Sequence, residues 1–168
     1  MNVFLSLCLG MMLAAVPACA DSERGTFMTA KGELRDELRL RDSQHGFTGE
    51  TGTIWVIAPS GAFTVSRFLN RKIEPPRQDG QLGDQQLRAI AQSLEAGGFE
   101  GLPQQIGQPA PVNARVISVT FGSDSVDLML APDPSDLRSL AARATTRAPA
   151  ERGVLAIAAA VLEATAPD

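Results

Sequence analysis

The stretch TIWVIAPSGAFTVSRFL, Thr53 to Leu69, leaves this chain the fewest choices of fold. Two runs rich in β-branched and aromatic residues are divided by Pro-Ser-Gly. Proline presets φ, and Gly61 supplies a left-handed position, so the segment reads as a three-residue-turn hairpin. Ile54 and Val56 face one way, Trp55 and Ile57 the other. Both faces are apolar, which predicts a central strand covered on both sides, with Trp55 in the core. A second hairpin is read in RVISVTFGSDSVDLML, Arg115 to Leu130. Ile117, Val119 and Phe121 share a face, as do Val126, Leu128 and Leu130, and GSDS holds turn residues. LRDELRLR, Leu34 to Arg41, alternates over most of its length and predicts an N-terminal strand with one wet face, a helix being its rival.

Helices follow each hairpin. Leu87, Ile90, Ala91 and Leu94 form one stripe, with Asp84 as the expected N-cap and Gly97-Gly98 as the stop. Phe99, Leu102 and Pro103 are expected to pack below its end. Leu137 and Leu140 suggest a short helix. A last helix begins near Pro149 and turns Val154, Ile157, Ala158, Val161 and Leu162 inward. Arg71 to Gly80 and Gln104 to Asn113, both broken by proline and glycine, read as loops. The prediction is an α+β fold: a mostly antiparallel sheet of two hairpins plus an N-terminal strand, with two main helices packed on one face.

The first 20 residues carry no charge and end in Ala18-Cys19-Ala20, the small-x-small pattern of a secretory signal. The apolar run of roughly 14 residues falls short of the ~20 needed to span a bilayer. Residues 1–20 are therefore expected to be a signal peptide, 21–32 a flexible leader, and 33–168 a single domain. Cleavage after Ala20 would give a soluble periplasmic or secreted protein. Alternatively, Val16-Pro17-Ala18-Cys19 would serve as a lipobox, and an acylated Cys19 would anchor the chain in the bacterial envelope. A membrane partner is expected only on that second route. On either route the mature domain has no free thiol, because Cys8 and Cys19 are the chain's two cysteines. No charged residue precedes Asp21, so the mature chain keeps the net charge of −4, with signs well mixed along it. That balance argues against a nucleic-acid partner.

GFTGETGTIWVIAPSGAFTV, then GQLGDQQLRAIAQSLEAGGFEGLP, then a hairpin, is an arrangement similar to that of emfourin-like inhibitors of thermolysin-type metalloproteases and of related small exported bacterial domains. The likeness spans about Leu38 to Leu130 and rests on turn glycines, core leucines and a terminating proline. It points to a protein-binding module of the protease-inhibitor kind, but it carries no inhibitory residue over to this chain, and likeness of fold does not transfer function.

The segment DSQHGFTGETG, Asp42 to Gly52, holds the single histidine. Asp42, Ser43 and His45 are the ingredients of a triad, but neighbours in one loop do not converge as a triad requires. His45 as a lone general base has no nameable partner. Asp124 with Asp127, and Asp133 with Asp136, lack calcium-loop spacing and read as turn residues. No metal or cofactor is expected. The functional expectation is a glycine-rich loop at a sheet end, in which His45, Gly46, Phe47 and Gly49 contact a protein partner. Phe47 would be the apolar anchor and His45 a modulator. A structural or accessory envelope role, and an enzyme using His45, are the alternatives.

Overall fold

The structure, a computed structural model, describes residues 27–47, 49–108, 110 and 112–167. The signal segment, Cys19 and the first half of the expected leader, 21–26, lie outside the described residues. The elements run β1 (Leu38–Gly46), β2 (Gly49–Ile57), β3 (Ala62–Leu69), β4 (Lys72–Ile73), β5 (Gln78–Gln81), α1 (Asp84–Ala96), β6 (Gln105–Ile106), β7 (Arg115–Phe121), β8 (Asp124–Leu130), α2 (Leu137–Ala142) and α3 (Pro149–Ala164). The fold is α+β. One eight-stranded sheet, ordered β4-β3-β2-β1-β7-β8-β6 with β5 also on β3, packs the helices against one face.

Both predicted hairpins form. β2 and β3 pair from Ile57↔Phe63 to Thr51↔Leu69, and Gly61 takes the left-handed φ of +90° that its turn requires. β7 and β8 pair from Phe121↔Asp124 to Arg115↔Leu130. The N-terminal strand is displaced from its expected position. Leu34 is buried but lies outside β1, bridging to Met28. The ladder starts at Leu38 and runs on through Asp42 and Ser43, pairing with β2 as far as Gly46 and with β7 as far as Gln44. The expected loop from Asp42 to Gly52 is thus two strands, paired as far as Gly46↔Gly49, with Phe47 in a turn at their end. Backbone hydrogen bonds hold that extension and do not require apolar side chains, so alternation failed to mark it.

The expected leader is also shorter than its sequence suggests. Phe27 is buried edge-on against Phe99 and Phe121, with ring centroids 6.2 and 5.3 Å away. The two expected loops contribute edge strands: β4 and β5 cover β3, and β6 pairs with β8 in parallel register. β2 is covered on one face only. Trp55 and Ile57 turn toward the helices, Trp55 half-buried and Ile57 fully. Ile54 and Val56 lie half-buried on the helix-free face.

The core lies between sheet and helices. Leu38, Leu40, Ile117, Val119 and Leu128 meet Leu87, Ile90 and Leu94 of α1 and Val154, Ile157, Ala158 and Val161 of α3. The N-cap of α1 is Gly83 rather than Asp84, which is its first helical residue. Gln86 ties both helices together: its Oε1 accepts from Gly83 N at 2.8 Å, and its Nε2 donates to Ala164 O at 2.9 Å. Gln78 Nε2 donates to Thr165 O at 2.8 Å, so two glutamines satisfy carbonyls that the end of α3 leaves free.

The helices touch backbone to backbone where Gly97 meets Gly153. A methyl group at Gly153 would lie 2.5 Å from Gly97 O. Two effects oppose each other in Gly153→Ala: a gain in helix propensity of about 1 kcal/mol and an overpacking cost of about 1–3 kcal/mol. The obstacle is backbone and cannot rotate away, so a net loss of stability is expected in urea unfolding. An unchanged or raised midpoint would show that the two helices separate at little cost.

Candidate functional site

The helix-free face of the sheet is where the side chains of five neighbouring strands converge. Cross-strand register places Arg39 and Arg41 of β1 beside Val56 and Ile54 of β2, and beside Thr120 and Ser118 of β7. Phe68 of β3 and Ser125 and Asp127 of β8 extend the same surface. All of these except Val56, together with Glu50, Asn70, Arg71 and Ile73, line an open depression of about 760 Å³.

Gly52 and Phe68 are directly opposite each other. A Cβ on Gly52 would lie 2.8 Å from the Phe68 ring, so the absent side chain is what lets the ring lie flat on the strand. The Arg41 guanidinium stacks over that ring at 4.1 Å from its centroid and donates from Nη2 to Glu50 Oε2 at 2.8 Å. Phe68 is 4% exposed although no helix covers it. The centre of this face is therefore a preorganised cation over an aromatic floor, with hydroxyls on one side and Ile54 and Ile73 on the other.

His45 belongs to this face. It sits across from Glu50, with Nε2 3.6 Å from Glu50 Oε1. Asp42 points to the opposite face, and Ser43 Oγ donates to Val116 O at 3.2 Å, so the three do not converge into a triad. Asp133 Oδ1 accepts from Ser135 N at 2.8 Å and Asp136 Oδ1 from Ser139 N at 2.7 Å, closing a turn and capping α2. The hydrogen bonds to Ser135 and Ser139 hold these two carboxyls below the usual carboxylate range. Among the described residues no group of three or more His, Cys, Asp or Glu is placed to hold a metal ion.

Phe47 belongs elsewhere. It stands at the turn of the β1–β2 hairpin, with its side chain fully exposed. The sequence grouped His45 and Phe47 into one loop, whereas the structure assigns one to the sheet face and the other to the sheet end. Of the two glycines, Gly49 is accounted for within the protein. Asn70, at a left-handed φ of 55°, fills the space beside Gly49, and its Oδ1 accepts from Glu50 N at 2.9 Å. A Cβ on Gly49 would lie 2.1 Å from that oxygen, so the glycine admits Asn70 rather than a partner. Gly46 pairs with Gly49 and has room for a side chain, its nearest neighbour being Asn113 Oδ1 at 3.8 Å from the added Cβ.

A polar residue that alternation did not single out lies at the helix-side edge of the core. Arg115 is 4% exposed. Its Nε and Nη2 each donate to the Asp42 carboxylate at 2.8 Å, and its Nη1 donates to the carbonyls of Ser135 at 2.6 Å and Asp133 at 3.2 Å. Burial disfavours the charge. The hydrogen bonds to Asp42 and the fields of Asp42, Asp133 and Asp136 outweigh it, and the guanidinium pKa is raised. This group holds the connection between β8 and α2 against the sheet. No protein-family model matches the chain, and no curated protein matches it either.

Proposed function

We propose that this chain is an exported, non-enzymatic protein-binding module of the bacterial envelope, and that its partner seats on the helix-free face of the sheet. The observation that carries the reading is Arg41 stacked on Phe68 and pinned by Glu50, at the centre of a broad depression. Arginine and aromatic groups in partly desolvated, rigid positions are what binding hot spots are made of. Arg41 is held between Phe68 and Glu50 before any partner arrives, which lowers the entropic cost of using it on binding. The dispersal of Asp42, Ser43 and His45 favours binding over hydrolysis. A protease is the partner class that the likeness to emfourin-like inhibitors implies, and the mixed polarity of this face suits a protein surface better than a small apolar ligand.

The test is site-specific photocrosslinking in intact cells, with the crosslinker at Ile54 and, as a control, at helix-side Arg88. A single protein adduct from Ile54 and none from Arg88 is expected. The Arg41→Glu variant should then weaken binding of that purified partner by about 30-fold, the size of a hot-spot loss of ~2 kcal/mol. Adducts from both positions alike, or Arg41→Glu binding as well as the parent, would overturn the reading.

A further inference from the structure

The large hydrophobic side chains that stand exposed among the described residues are Phe47, Leu69, Ile73 and Val112. They come from three separate stretches of the chain, yet the fold gathers them at one end of the sheet. Phe47 is on the β1–β2 turn. Leu69 and Ile73 flank the β3–β4 turn, which is fastened to the first by Asn70 N donating to Glu50 O. Val112 precedes by two residues Ala114, whose carbonyl accepts from His45 N of β1 at 2.8 Å. The charges at this end are as uneven as its apolar groups. Arg67, Arg71 and Lys72 are exposed and form no ion pair among the described residues. The acids nearby are engaged, Glu50 by Arg41 and Glu74 by Arg77. A chain of net charge −4 thus presents a locally cationic end.

We propose that this end of the sheet is a docking surface for an anionic lipid bilayer, with Phe47 inserting and Arg71 and Lys72 meeting the headgroups. Two turns and a neighbouring loop carry the apolar groups as prongs, with Phe47 fully exposed and projecting. Prongs enter a deformable lipid interface without a matching pocket, and peripheral binding grows with the apolar area inserted plus the attraction of cations to anionic lipid. A second copy of the chain would bring the same unpaired cations face to face, which charge disfavours. The inference goes beyond the protein-binding reading, uses an adjoining surface that shares only Arg71 and Ile73 with the rim of the depression, and does not depend on acylation of Cys19.

The experiment is co-sedimentation of the protein carrying Cys19→Ala with vesicles of equal phosphatidylglycerol and phosphatidylcholine, and with phosphatidylcholine alone. Binding is expected on the anionic vesicles and should be at least tenfold weaker on the neutral ones. Phe47→Ser should weaken binding to the anionic vesicles by about tenfold or more. The Arg71→Glu, Lys72→Glu pair should do the same, with melting temperatures unchanged in both. A Phe47→Trp variant should shift its emission to the blue when anionic vesicles are added. Equal binding by parent and variants, or no blue shift, would overturn the proposal. So would a loss of self-association or of protein capture in Phe47→Ser without vesicle binding, since the prongs would then serve a second copy or a protein. Failure here leaves the Ile54 crosslinking result unaffected, so the two readings fall separately.

Discussion

Replacing Arg115 with methionine should destabilise the fold by about 3–5 kcal/mol, the cost of breaking a buried ion pair by removing one partner. Three consequences add in one direction. The Asp42 carboxylate, 19% exposed, loses a bidentate donor. The carbonyls of Asp133 and Ser135 lose theirs. The β8–α2 connection loses what fastens it to the sheet. Chemical denaturation is the measurement, and a loss below about 1 kcal/mol would mean that water already screens the pair as at a surface. Adding Asp42→Leu to Arg115→Met should recover part of the loss, because an apolar pair of similar volume is often tolerated where half a pair is not. Recovery should be incomplete, since the two carbonyls still lack their donor.

Leu94→Ala should cost about 2–5 kcal/mol, and Leu87→Ala somewhat less within the same range. Leu94 is fully buried and Leu87 is 3% exposed, and both join the cluster that α1 and α3 close over the sheet. Truncation leaves a cavity whose size depends on how far neighbours relax. The tight Gly97–Gly153 contact near the end of α1 limits that relaxation near Leu94. Thermal or urea unfolding of the two variants checks the order. Unchanged melting in both would mean that the stripe does not face a core.

What the sequence determined by itself is the part of the fold in which burial repeats locally. The 3.6-residue stripe of Leu87, Ile90, Ala91 and Leu94 and the period-two faces of β7 and β8 are each written within one element, and every one of those side chains is buried as its spacing implies. The turn glycine at position 61 is legible for a similar reason, since a positive φ is a property of one residue. Two hairpins and two covering helices then leave few arrangements other than α+β. Only the tertiary structure decided the rest. β1 extends through Asp42 to Gly46 because β2 supplies backbone partners to its end and β7 does so as far as Gln44, and a ladder leaves no mark in side-chain polarity. Asp42 and Arg115 lie 73 residues apart, and no local pattern announces that they share a buried edge. The short edge strands β4, β5 and β6 are proline- and glycine-bounded segments whose side chains resemble loops. Likewise, His45 and Phe47 are two residues apart in the chain but serve different surfaces. A tight turn carries Phe47 off the end of the sheet, whereas strand alternation keeps His45 on its face. Local periodicity fixes which side of an element is buried. It does not fix which distant element supplies the other half of a hydrogen bond, an ion pair or an exposed patch, because those depend on how the strands come to lie beside one another in space.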